Sequence, residues 1–238
     1  MNIKKHIPNI ITLLNLFCGC IAAIFAFNQE FEMAFLFVSL GIFLDFFDGF
    51  FARMFNVSSE LGLQLDSLAD MVTSGFVPGL VMFQLMSATT SGPAWFPYLG
   101  FIITMGSCYR LANFNIDTRQ TDSFIGLPTP ANALVILSLP MIKEAYGENS
   151  LMMLEILTNQ WILLAITICS AYILNAEIPL FSLKIKQFSF AKYKLQISFL
   201  AISVLLLIFF QFLGIPLLIF TYILLSVINN KQKKNILN

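Results

Sequence analysis

The sequence predicts an all-α protein, a polytopic membrane bundle of about eight transmembrane helices. Three observations lead there. Hydrophobic residues fill 58% of the 238 positions and charged residues only 11%, with a mean hydropathy of +0.83, a balance too apolar for a water-soluble domain. The apolar residues come in runs of about 20, the length that crosses hydrocarbon as a helix. The net charge is zero, yet basic and acidic residues are sorted by position along the chain.

In order, the first run covers residues 9–28. Lys4 and Lys5 before it suggest a signal peptide, but no small-x-small cleavage site closes it and Phe17 before Cys18 does not suit a lipoprotein anchor. It is read as a retained span. Further spans are expected over 33–54, 62–87 (where Pro78 predicts a kink), 94–115, 129–146 and 156–176. The last two, 194–212 and 214–229, meet at Gly214-Ile-Pro216, which predicts a tight turn and a helical hairpin. They carry no buried charge, which points to packing or dimerisation rather than chemistry. The polar stretch from Asn175 to Lys194 contains four lysines, suited either to anionic headgroups or to a solvated loop.

On this layout Lys4, Lys5, Arg53, Arg110, Arg119, Lys184, Lys186, Lys192, Lys194, Lys231, Lys233 and Lys234 share one side. Lys143 alone falls on the other, with Glu30, Glu32, Glu144, Glu148 and Glu155. The positive-inside rule then puts both termini in the cytoplasm. The four cysteines, Cys18, Cys20, Cys108 and Cys169, sit in apolar segments without a C-x2-C pair, and His6 is the only histidine. That composition argues against a disulfide frame, a zinc site and catalysis by paired histidines.

The chemistry concentrates between residues 45 and 70. Asp45 and Asp48 are three apart and Asp66 and Asp70 four apart, so on helices each pair shares a face. Unpaired carboxylates near lipid each cost on the order of several kcal/mol. A cluster of oxygen ligands without His or Cys favours Mg²⁺ or Mn²⁺ over Zn²⁺. A structural polar patch and a transporter's cation site are the competing readings, but a transporter has no evident need for Gly49, Ala52, Arg53 and Gly62 at fixed spacing. Those small residues leave room for a ligand beside the backbone, and Arg53 offers a forked donor to phosphate.

The full pattern, D-x2-D-G-x2-A-R-x8-G-x3-D-x3-D, resembles the signature of the CDP-alcohol phosphotransferases, integral membrane enzymes of phospholipid synthesis. The resemblance implies a six-helix catalytic core, here residues 1–176, followed by a cytoplasmic loop over 177–193 and a C-terminal hairpin with a basic tail over 194–238. It implies two divalent cations, Mg²⁺ or Mn²⁺, on Asp45, Asp48, Asp66 and Asp70, with Asp70 also serving as general base. A CDP-lipid is expected against Gly49, Ala52, Arg53, Gly62 and Ser59, with Ser58 as a possible substitute for Ser59. The positive-inside layout puts the acidic site, like the termini, on the cytoplasmic side of what is expected to be a multi-pass inner-membrane protein, a homodimer among membrane lipids with no nucleic-acid partner.

Three more stretches resemble the family's phosphatidylserine synthase branch: Pro8-Asn9-x2-Thr12-x2-Asn15-x3-Gly19, Tyr109-Arg110-Leu-Ala-Asn113-Phe114-Asn115, and Phe124-Ile-Gly126-Leu-Pro128-Thr-Pro130-Ala. They imply transfer from CDP-diacylglycerol to L-serine with release of CMP. Asn9 and Thr12 are then expected at the CDP-lipid, and Asn15, Arg110 and Asn115 at serine. Asn113 departs from the branch, which has a basic residue there. The alternatives are a related enzyme acting on glycerol 3-phosphate or inositol phosphate, a cation-coupled transporter, and, for Arg110 alone, a positive-inside anchor at a helix end.

Overall fold

The computed structural model describes residues 6–57, 59–89, 92–117, 125–147, 150–181 and 194–237. These residues form helices α1 (Ile7–Phe27), α2 (Phe31–Phe55), α3 (Glu60–Asp70), α4 (Val77–Ser87), α5 (Ile102–Ile116), α6 (Thr129–Tyr146), α7 (Leu151–Thr158), α8 (Gln160–Asn175) and α9 (Lys194–Leu237). A π-helical turn (Met71–Phe76) joins α3 to α4, and a 3-10 turn (Phe96–Phe101) leads into α5. No strand occurs among the described residues; Ile125 and Pro179 form a single isolated bridge. Ser58, Arg119, Phe124, Glu148, Lys4, Lys5, Lys184, Lys186 and Lys192 lie outside the described residues.

Among the described residues, four helical stretches are long and apolar enough to cross a membrane: Ile7–Phe27, Phe31–Phe55, Glu60–Ser87 and Leu195–Gln232. The pair α7 and α8, bent by 69° at Asn159, makes a fifth if taken as one. There the Asn159 side chain accepts from the Trp161 and Ile162 amides, capping α8 while α7 ends. The expected spans over 94–115 and 129–146 are helical but fall outside this set. The first is short, because α5 has only 15 residues after the 3-10 turn, and Lys143 with Glu144 lowers the apolarity of the second. By length and composition the described residues do not confirm the expected count of eight.

The centre of the bundle is α4. Val77, Leu80, Val81, Met82, Leu85 and Met86 are all buried, against Ala22 and Ala26 of α1, Ala34 and Val38 of α2, and Ala133, Ile136 and Leu137 of α6. Pro78 stands at the start of α4, directly after the π turn. Proline has no N–H for the carbonyl four residues back, and the expected break takes the form of this wider turn. Against the π turn, α1 and α2 come in at Gly19 and Gly41. A methyl at Gly19 would collide with Thr73 Oγ1, and one at Gly41 would meet Asn15 Oδ1 at 2.7 Å.

α9 is two arms rather than one rod. Gln211 has φ 47° and ψ −121°, and the chain reverses there. The Phe199 and Tyr222 rings meet at 5.3 Å, tilted by 37°, and the Gly214 Cα faces the Leu206 carbonyl. The hairpin is present as expected, but it turns three residues before Gly214. That glycine serves the close approach of the returning arm. The turn packs on the bundle through Phe35–Phe212 and a bond from the Tyr146 hydroxyl to the Phe210 carbonyl.

Candidate active site

Three elements bring the acidic residues together. α2 runs to Arg53 in its last turn and ends at Asn56, whose φ of 51° is the left-handed cap that asparagine tolerates. α3 starts at Ser59, extended at φ −143°, whose Oγ accepts from the Gly62 amide at 3.0 Å. This is an N-cap, and it fixes where the acidic face of α3 points. With α2 and α3 so placed, oxygen atoms of Asp45, Asp48 and Asp66 all lie within 4.8 Å of one another. Asp48 is 7% exposed and Asp45 Oδ1 is buried without a hydrogen-bond partner.

α1 supplies the support. The Thr12 hydroxyl reaches Asp48 Oδ2 and, alternatively, the Pro8 carbonyl at 3.0 Å. One turn further on, Asn15 Nδ2 donates to Asp70 Oδ1 at 3.2 Å. Asn15 is fully buried, its Oδ1 is unpartnered, and its carbonyl accepts from Thr73 Oγ1 at 3.1 Å. One face of α1 thus orients one carboxylate from each acidic pair.

A cavity of about 200 Å³ opens beside this cluster. Asn9, Thr12, Asp48, Gly49, Ala52, Ser59, Gly62 and Asp66 all line it. The Arg53 guanidinium folds back over Gly49, with Nη1 3.6 Å from where a methyl would stand. The start of α3 borders the cavity, and a helix N-terminus attracts anions through its free amides and dipole.

Arg110 and Asn115 do not line this cavity. Asn115 exchanges hydrogen bonds with Ser67 at 2.9 and 3.2 Å, tying α5 to α3 beside Asp66. Arg110, 6% exposed, donates from Nε to the Leu127 carbonyl and from Nη2 to the Gly126 carbonyl at 3.5 Å, and lies over the Phe114 ring. It lines a second cavity of about 140 Å³ with Tyr109, Asn113, Asp117, Asn175 and Glu177. The two cavities share no lining residue. Gly126 is bound to its place by φ +76° and by the Leu174 carbonyl, 2.5 Å from where a methyl would stand.

The sequence reading did not single out Ser67, Thr73 or Glu177. Thr73 left a faint signal, as a polar residue in the apolar run after Asp70. Glu177 left none, because its place depends on a contact between distant segments.

The sequence profile of the CDP-alcohol phosphatidyltransferase family matches residues 5–170. A CDP-diacylglycerol–serine O-phosphatidyltransferase of Bacillus subtilis (strain 168) is 38% identical over 140 residues, which is 56% of this chain and 76% of that protein. Proteins of the same name from Helicobacter pylori (strain J99) and Saccharomyces cerevisiae (strain S288c) are each 33% identical, and the matched stretches cover 59% and 53% of their lengths. The chain thus spans little more than half of these two relatives. With the profile covering most of the chain and the whole acidic site inside it, this membrane-helical protein belongs to the CDP-alcohol phosphatidyltransferase family.

Proposed function

We propose that the chain is a phosphatidylserine synthase that moves the phosphatidyl group of CDP-diacylglycerol to the hydroxyl of L-serine and releases CMP. The observation that carries this is the convergence of Asp45, Asp48 and Asp66 beside a cavity lined by Asn9, Thr12, Gly49, Ala52, Ser59 and Gly62. The names of the relatives support serine as the acceptor.

The donor set fits divalent cations. It offers only carboxylate oxygens, hard ligands of the kind Mg²⁺ and Mn²⁺ take, and a buried unpartnered oxygen on Asp45 marks an unmet demand for positive charge. Asp45, Asp48, Asp66 and Asp70 would hold two such ions, which when bound polarise phosphoryl oxygens and offset the charge of the transition state. The residues of the chain do the rest. Gly49 and Ala52 leave room for the diphosphate, while Arg53 and the start of α3 attract it. Thr12 and Asn15 hold Asp48 and Asp70 in orientation. Asp70 takes the proton of the serine hydroxyl as its oxygen forms a bond to the β-phosphorus. The bond from that phosphorus to the bridging oxygen breaks, and the oxygen leaves on CMP. Arg110 holds the serine carboxylate through the N–H groups its backbone bonds leave over. Asn115 serves through its grip on Ser67.

Incubating the purified protein with CDP-diacylglycerol and a panel of L-serine, glycerol 3-phosphate and inositol phosphate tests the reading. Mg²⁺- or Mn²⁺-dependent CMP release with L-serine alone is expected. Release with a phosphorylated acceptor instead would reassign the alcohol, and no release with any would remove the reaction. The placement proposed is a multi-pass inner-membrane protein, as a homodimer, with both termini and the acidic site in the cytoplasm. Twelve of the thirteen basic residues share that side in the expected layout. Cysteine labels at residues 5, 188 and 235 should react from the cytoplasm and one at 148 from the opposite side. Cytoplasmic labelling at 148 would overturn the layout.

A further inference from the structure

The second arm of α9 carries Tyr222, Ser226 and Asn230 four residues apart, on one face. All three bind the backbone of one short segment. The Tyr222 hydroxyl donates to the Phe181 carbonyl at 2.8 Å, the Phe181 amide donates to Ser226 Oγ at 3.3 Å, and Asn230 Nδ2 donates to the Pro179 carbonyl at 2.6 Å. Tyr222 and Ser226 are buried, and the rings of Phe181, Phe199 and Tyr222 pack together at 4.8–5.7 Å. Polar side chains on an otherwise apolar arm are costly unless they have such partners.

The same segment meets the loop that holds Arg110. The Gly126 amide donates to the Ile178 carbonyl at 3.0 Å, and Ile125 bridges Pro179. The Leu127 amide donates to the Ile173 carbonyl at 3.1 Å. The carbonyls of Gly126 and Leu127 then receive Arg110. One isolated bridge does not hold itself in place as a sheet does. The loop is set by what lies behind it: Ile173 of α8 behind Leu127, and residues 178–181, fixed on α9, behind Ile125 and Gly126. Ala176 and Glu177, just before this segment, line the Arg110 cavity.

We propose that Tyr222, Ser226 and Asn230 are positioning residues for the Arg110 cavity, so that the hairpin, which lies outside the family match at residues 5–170, sets how tightly the acceptor alcohol is held. This rests on the reading of Arg110 as the group that binds the serine carboxylate. The effect runs from the α9 side chains through the backbone of residues 178–181 to the carbonyls of Gly126 and Leu127, and ends at the guanidinium.

The test uses the full-length protein in lipid nanodiscs, with Tyr222→Phe, Ser226→Ala and Asn230→Ala combined. The KM for L-serine should rise on the order of fivefold, about the worth of one hydrogen bond, with kcat and the KM for CDP-diacylglycerol within about twofold. Hydrogen exchange at residues 125–131 should quicken while that at 60–76 stays unchanged. Arg110→Lys, measured in parallel, separates the two layers. A serine KM that moves with Arg110→Lys but not with the triple variant overturns the proposal. Unchanged exchange at 125–131 overturns it as well. If Arg110→Lys is silent while exchange quickens, the failure lies with the Arg110 reading. A uniform loss of activity toward both substrates would make the hairpin a general support only and also overturn the proposal. Should the triple variant fail to fold, Tyr222→Phe alone keeps the ring cluster, and it should shift the serine KM and the exchange in the same sense.

Discussion

The two cavities are built on opposite plans. The acidic one is assembled side chain to side chain from residues 8–70, with Thr12 and Asn15 of α1 against carboxylates of α2 and α3. The Arg110 cavity is assembled from backbone: the guanidinium rests on carbonyls of residues 126 and 127, and these rest on residues 173–179. A site of the first kind should fail through its chemistry while the fold survives. A site of the second kind should fail through displacement of its backbone.

The largest effects should break the first plan at its centre. Asp45→Ala or Asp66→Ala should abolish turnover and weaken Mn²⁺ binding measured by electron paramagnetic resonance, and chelation should silence the unmodified protein. Activity that survives exhaustive chelation would end the cation reading. Asp70→Asn should cost about 10²–10⁴ in kcat, the usual worth of a general base, while Mn²⁺ binding is partly retained. Near-normal turnover would put the base elsewhere.

Smaller losses should appear one step away from the chemistry. Thr12→Val and Asn15→Leu each remove a charge-assisted hydrogen bond, worth about 1.5–3 kcal/mol, so kcat/KM should fall on the order of tenfold to a hundredfold. Thr12→Ser should recover most of the loss, because it restores the hydroxyl. A change confined to the serine KM in Asn15→Leu would make Asn15 a direct serine ligand after all. On the other plan, Arg110→Lys keeps the charge and loses the fork, and should raise the serine KM by a similar factor while sparing the CDP-lipid.

Two glycines sharpen the contrast with the smallest expected change in stability. Gly49 lies inside α2, where a methyl would meet only the Arg53 guanidinium at van der Waals distance, so Gly49→Ala should hold or raise the melting temperature, by the equivalent of about 0.5–1 kcal/mol, while weakening CDP-lipid binding. Gly126 has positive φ and a carbonyl in the way, so Gly126→Ala should lower the melting temperature and raise the serine KM together. If Gly126→Ala proved neutral on both counts, the backbone plan would not describe the Arg110 cavity.

The difference in plan also explains how much of each site was legible in the sequence. Asp45, Asp48, Asp66 and Asp70 pair by number alone, because spacings of three and four define a helix face. The hairpin was legible too, though its turn was not: Gly214 and Pro216 drew attention away from Gln211, whose identity gives no hint of a reversal. The surroundings of Arg110 were invisible for a more basic reason. A carbonyl acceptor has no residue type, so neither Leu127 nor Pro179 announces its role. The bond from Asn15 to Asp70 was not legible either, because a buried amide serves a carboxylate of its own protein and one of a substrate equally well.

The π-helical turn over Met71–Phe76 has a consequence for how this centre can be tuned. A π turn carries an extra residue relative to an α-helical path, and each helical residue rotates the next by about 100°. It therefore acts as an angular coupling between α3, which presents Asp66 and Asp70, and α4, which is gripped by the bundle. Removing one residue from this turn would change no ligand, yet it would turn both aspartates out of line with Asp45 and Asp48. The bearing of the acidic face is thus set by the length of a stretch that contains no acid at all.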